Sequence, residues 1–205
     1  LAVERTDQLA LEALWTVASC DAFDEALAAK LLNHPLADVR AWAVRLAGDT
    51  RQVSSGLRDG FVSLARTDPS PTVRSQLACT ARRLPASDGL PVVAALLGRS
   101  EDVEDLHIPL LAWWAIEDKA ISDREKVLTL FDTPEAWKQP LVRRHMVERI
   151  ARRYMAEGGD AGLATCSRLL AKAPDAEAAE ECRSGGVDRD AGGTRQARDP
   201  ERQVE

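Results

Sequence analysis

Aromatic side chains are scarce, at 4% of the 205 residues, and alanine and leucine carry most of an apolar content of 45%. That balance suits closely packed helices and leaves enough apolar surface for a buried core. Strand-like alternation of polar and apolar residues is missing. Apolar runs are short: the longest, such as residues 108–116, are far below the length that crosses a bilayer. No basic stretch followed by an apolar one opens the chain, so no signal peptide is visible. The four cysteines, Cys20, Cys79, Cys166 and Cys182, form no Cys-x-x-Cys and no Cys-x-x-Cys-His haem attachment site. They read as small buried hydrophobes on helices. Positive charge is in deficit, with a net −6, which argues against nucleic acid as the main ligand. Catalytic patterns are also lacking: there is no His-Glu-x-x-His, no glycine-rich phosphate loop and no Gly-x-Ser-x-Gly elbow. His34, His107 and His145 share no common repeat position. No catalytic, cofactor-binding or metal-ligating residue is therefore assigned.

What is present is a repeat. His34-Pro35-Leu36-Ala37-Asp38-Val39-Arg40 returns as Asp68-Pro69-Ser70-Pro71-Thr72-Val73-Arg74, with an offset of 34 from Val39 to Val73. A degenerate third copy begins at Ile108-Pro109-Leu110, offset 35, and a fourth at Val142-Arg143-Arg144, offset 34. A period in this range is the mark of a helical repeat array. The expectation is an all-α, HEAT-like solenoid of stacked antiparallel helical pairs with a 34–35-residue repeat.

The Val-Arg helix comes second in each pair. The first helices are expected over residues 23–32, 57–66, 87–97 and 122–131, where apolar residues recur at three and four, as in Leu90, Val93, Ala94 and Leu97. Ser122-Asp123-Arg124-Glu125 fits a capping box. Ser70-Pro71 and Gln139-Pro140 put proline at the first helical position, where its missing N–H costs nothing. Residues 6–19 read as the second helix of a preceding unit. A long helix from Val142 to about Glu157 is expected to stop at Gly158-Gly159, with further helices over 160–173 and 175–182. Residues 184–205 contain almost nothing to bury and read as a disordered tail. The array is thus expected over 1–183, as an interior slice of a longer solenoid cut at both ends.

Val39, Val73, Ile108 and Val142 occupy one position of the second helices and are expected to pack on the first. Arg40, Arg74 and Arg143 follow them and read as ladder residues tying neighbouring repeats. Pro109 stands where the third copy needs its arginine, so the ladder should be interrupted there. Trp113 and Trp114 are about 100 degrees apart on a helix, so one is expected in the core and the other on a contact face. Trp15, Trp42 and Trp137 are expected in the core. The helix over 140–158 carries Arg144, Arg149 and Arg153; together with Trp113 and Trp114 these are the candidate partner-binding residues. Glu148 and Arg152 have the spacing of a local pair. Residues 101–105, an acidic run without the pattern of a calcium loop, read as a solvated connection.

Several strings carry a family resemblance: Ala13-Leu14-Trp15-Thr16, Val39-Arg40-Ala41-Trp42-Ala43-Val44-Arg45-Leu46, Gln76-Leu77-Ala78-Cys79-Thr80-Ala81-Arg82-Arg83-Leu84-Pro85, and His107-Ile108-Pro109-Leu110-Leu111-Ala112-Trp113-Trp114-Ala115. Glu148-Arg149-Ile150-Ala151-Arg152-Arg153-Tyr154 continues it. From Thr6 to Pro174 the chain resembles the HEAT-repeat region of large multidomain proteins of planctomycetes and verrucomicrobia described as membrane-bound dehydrogenases or haem-binding CxxCH proteins. The resemblance implies a sugar-dehydrogenase-type propeller before the repeats, a c-type cytochrome after them, and a periplasmic or cell-envelope setting. This chain contains neither domain, so no haem or other cofactor is carried over to it.

The functional expectation is a non-catalytic scaffold or protein-interaction module, with a protein or neighbouring domains of the same polypeptide as partner, no nucleic acid and no membrane segment. Two alternatives stay open. One is a structural part of an oxidoreductase that contributes to its substrate or electron-transfer site. The other is a free-standing HEAT-like protein resembling regulatory scaffolds or phycobilin lyases.

Overall fold

A computed structural model of the chain describes the backbone of residues 2–187 and the side chains of residues 8–184. Among them there are only helices and connections: α1 (Ala2–Ser19), α2 (Glu25–Leu31), α3 (Ala37–Ala47), α4 (Ser55–Thr67), α5 (Pro71–Arg83), α6 (Ala86–Leu97), α7 (Ile108–Glu117), α8 (Arg124–Leu128), α9 (Pro134–Lys138), α10 (Val147–Glu157), α11 (Gly159–Leu170) and α12 (Ala176–Val187). No described helix is long and apolar enough to cross a membrane.

Helix starts follow from local chemistry. Asp24 accepts from the Leu27 N–H at 2.8 Å, Ser54 from Leu57 at 3.2 Å and Thr133 from Ala136 at 3.2 Å, each satisfying a first-turn donor. Pro71 opens α5. Asp105 Oδ1 accepts from the His107 and Ile108 N–H groups, both at 2.8 Å, and so starts α7. At the end of α10, Gly158 and Gly159 take φ of +71° and +63°, the left-handed region that glycine enters without strain.

The packing runs in two rows. α1 lies against α3, α3 against α5, α5 against α7, α7 against α10, and α10 against α12. α2 lies against α4, α4 against α6 and α6 against α8. The rows meet at α2/α3, α4/α5 and α6/α7, and that seam is the core. Val39, Val73, Ile108 and Val142 are all buried, and Val73 and Val142 belong to one core cluster with Leu77, Leu96, Ile116 and Phe131. α5 and α6 approach so closely that a Cβ on Gly89 would stand 2.3 Å from the Ala81 carbonyl oxygen.

Several expectations are corrected. Trp15 and Trp42 are not core: Trp15 is 39% exposed and Trp42 half-buried, their rings meeting edge to face at 5.2 Å, because α1 is packed on α3 alone in this row. Cys20 is exposed and Cys79 half-buried, while Cys166 and Cys182 are buried. The capping box at 122–125 does not form: the Ser122 hydroxyl turns to Asp123 at 3.0 Å and Glu125 pairs with Arg168. The expected helix over 122–131 is α8 followed by a 3₁₀ turn at Thr129–Phe131, and the helix leading into α10 opens with a π turn at Val142–Met146. α12 runs on to Val187, past the boundary expected after residue 183. Residues 188–205 of the expected tail lie outside the described residues.

Candidate functional site

The ladder arginines are held in full hydrogen-bonded cages. Arg40 Nε and Nη2 donate to the two carboxylate oxygens of Asp68 at 2.7 and 2.8 Å, and Nη1 donates to the carbonyls of His34 and Pro35 at 2.8 and 3.0 Å. Arg74 repeats the arrangement with Asp102, at 2.6 and 2.5 Å, and with the Asp68 carbonyl at 2.8 Å. The Arg74–Asp102 pair is buried, the Arg40–Asp68 pair is partly so, and both span 28 residues, so each joins one helical pair to the next. The pairing raises the pKa of both arginines. Burial alone would raise that of Asp68, but its hydrogen bonds from Arg40 and the Ser70 N–H, with the charges of Arg40 and Arg74, hold it below its ordinary value. All three guanidinium nitrogens of Arg40 and of Arg74 thus donate within the protein.

Asp102 corrects the reading of residues 101–105 as a solvated connection. It is 1% exposed because it is the counter-ion of Arg74, and Asp105 is the cap of α7. Around Pro109 no such pair forms. Six residues before each ladder arginine stand His34, Asp68 and, for Arg143, Trp137; Trp137 is fully buried, with Nε1 donating to the Phe131 carbonyl at 2.8 Å. Arg143 instead meets Glu177 at 2.8 Å and Glu181 at 3.1 Å on α12.

The remaining candidates, Arg144 excepted, lie along one face of the α3–α5–α7–α10 row. Leu110, Trp113, Trp114 and Glu117 fall on one stripe of α7, and Arg149, Arg152, Arg153 and Ala156 repeat that spacing on α10. The two stripes face each other across a furrow of about 500 Å³. Trp113 is 8% exposed and forms its wall, while Trp114 is 40% exposed. Trp114 is also a wall of a second hollow, of about 540 Å³, between α5 and α7, where Arg45, Arg82 and Arg83 gather. Arg45, Gln76 and Cys79 in turn reach a third, of about 380 Å³, beside Trp42 on α3. Three adjoining hollows with shared walls thus form a furrow across four helices. Arg144 is not in it: it pairs with Glu104, and its neighbour His145 meets the Val103 carbonyl at 2.8 Å.

Two arginines stack on furrow tryptophans, Arg45 at 5.2 Å from the Trp42 ring centre and Arg82 at 5.9 Å from that of Trp114. Arg83 is paired with Asp49 and Arg152 with Glu148. Arg45, Arg82, Arg149 and Arg153 are in none of the ion pairs that the other arginines make among the described residues. Sequence reasoning missed Arg45 and Arg82, whose only signal is their place three residues after Trp42 and Cys79. Cys79 faces these guanidinium groups, yet burial pushes its thiol pKa up and outweighs the pull of Arg83, Arg45 and Arg82. At neutral pH it is a thiol, and a poor nucleophile. No group of three metal-ligating side chains occurs among the described residues. What the furrow offers chemically is guanidinium forks on an aromatic wall.

Comparison with known proteins returns no matching family model, no similar curated protein and no similar solved structure.

Proposed function

We propose that the chain is a non-catalytic helical-repeat scaffold, a HEAT-like solenoid whose open face holds a protein or a neighbouring domain of the same polypeptide. The observation that carries this reading is the contrast between two sets of arginines. Arg74, buried, and Arg40, partly buried, are spent on holding successive helical pairs together, whereas Arg82, Arg149 and Arg153 line an open furrow without carboxylate partners. Uncommitted guanidinium groups and a half-exposed tryptophan on one face are what an interface uses for anchoring. The resemblance to the repeat region of the planctomycete and verrucomicrobial dehydrogenase-type proteins supplies a setting: a spacer that keeps a redox domain at a fixed distance from its electron acceptor.

The test is photocrosslinking in the cells that make the protein, with benzoylphenylalanine replacing Trp114 in the furrow or Leu163, an exposed residue of α11. Defined protein adducts, intramolecular or intermolecular, should form severalfold more from position 114. Equal yields from both positions would remove the docking face.

A further inference from the structure

The furrow is specific in its charge. The chain as a whole is acidic, at −6, yet seven arginines line the three connected hollows against the carboxylates of Asp38, Glu117 and Asp118. Its apolar wall is equally specific, with Trp114 exposed between the α5 and α10 arginines. The Arg82 guanidinium lies 5.9 Å from the Trp114 ring centre, so a cation able to take a carboxylate stands beside the aromatic wall. Four helices at about 8–10 Å between neighbours make the furrow roughly 25–30 Å long. An extended peptide rises about 3.3 Å per residue, so about eight residues fill it.

Resting on the scaffold reading, we propose that this furrow docks an extended acidic segment of a partner protein. Its carboxylates meet Arg82, Arg149 and Arg153, and one apolar side chain packs on Trp114. A short segment gains from the local arginines without extending over the acidic remainder of the surface. A nucleic acid strand longer than the furrow would run onto that surface, and phosphate binding needs a broadly basic face. The chain's own last stretch is not the occupant: residues 188–205 carry five acidic and four arginine side chains and no aromatic.

Fluorescence anisotropy with the full chain tests this, using a labelled eight-residue peptide of Glu and Asp around one Phe. The controls are its Gln/Asn counterpart and an eight-nucleotide single strand. The acidic peptide should bind at least tenfold more tightly than the amide peptide and more tightly than the strand. The combined variant Arg82→Ser, Arg149→Ser, Arg153→Ser should lose about tenfold or more, with Arg58→Ser on α4 unchanged and helical circular dichroism retained. Trp114→Ala is a second, milder variant: it should weaken the Phe peptide more than a Gly-for-Phe peptide. Equal binding of acidic and amide peptides, or tighter binding of the oligonucleotide, overturns the proposal. Adducts at position 114 without peptide discrimination overturn the acidic partner alone, whereas equal adduct yields at 114 and 163 overturn the docking reading beneath it.

Discussion

The junctions around α3–α6 and the stretch from α7 to α10 solve the same packing problem differently. In the first, unbroken helices are joined by buried Arg–Asp pairs, Arg40 with Asp68 and Arg74 with Asp102. In the second, Pro109 removes the arginine, Trp137 stands six residues before Arg143, and the helices shorten into α8, a 3₁₀ turn, α9 and a π turn. Trp137 packs edge to face on Phe131 at 6.3 Å and gives its one donor to a carbonyl. The difference teaches that the position needs its space filled and its polar atoms satisfied, and that an ion pair is one of two ways to do both. An ion pair of this kind sets angle and register through three or four directed bonds from its arginine; an aromatic plug sets volume but tolerates irregular backbone around it. The furrow crosses both kinds of junction.

The comparison breaks most severely at a position both regions share. Val73→Asp and Ile108→Asp each place an unpaired carboxylate at a site with no exposure, at a cost of several kcal/mol, on the order of the whole stability. Both variants should lack a cooperative melt, and a wild-type melting curve for either would mean the register is wrong. Next, Arg74→Ala leaves Asp102 buried and unpaired, for about 3–5 kcal/mol, and Trp137→Ala removes the plug, for about 3–5 kcal/mol. The two differ in rescue. Replacing Arg74 and Asp102 together by Met and Leu should recover most of the loss in urea unfolding, whereas only a second large aromatic should rescue position 137. Smaller again, Trp113→Ala should cost about 3 kcal/mol and Trp114→Ala about 1 kcal/mol or less, a split that reversed midpoints would refute.

The smallest effect is in pH. Asp68 has a folded pKa below its unfolded value, so its contribution is fully present above the ordinary carboxylate range and is lost as pH falls through the depressed value. Between about pH 7 and pH 3 the wild type should lose more stability than Asp68→Asn. Equal losses would detach Asp68 from the lock.

The helical fold was legible because three- and four-residue apolar spacing is a local signal, and the Val39, Val73, Ile108 and Val142 recurrence is legible by setting one stretch of about 34 residues against the next. Cross-repeat partners were not legible: Asp68 and Asp102 lie 28 residues from their arginines, and nothing local distinguishes a paired acid from a solvated one. Thus the buried counter-ion Asp102 passed for part of a charged loop. The 3₁₀ and π turns and α9 were missed because five residues or fewer carry no periodicity. Trp113, Trp114, Arg149 and Arg153 could be named singly, but their meeting in one furrow, with Arg45 and Arg82, depends on how α5, α7 and α10 lie side by side. Arg144, one turn earlier, looks the same in sequence and faces elsewhere.

Native-state hydrogen exchange, read by mass spectrometry across α3–α6 and across residues 124–146, tests most directly whether the buried ion pairs make one region firmer than the other. The account predicts that amides of α3–α6 exchange only through global unfolding, while residues 124–146 open at lower free energy. Slower exchange in 124–146 than in α3–α6, or one uniform opening energy for both, would contradict it.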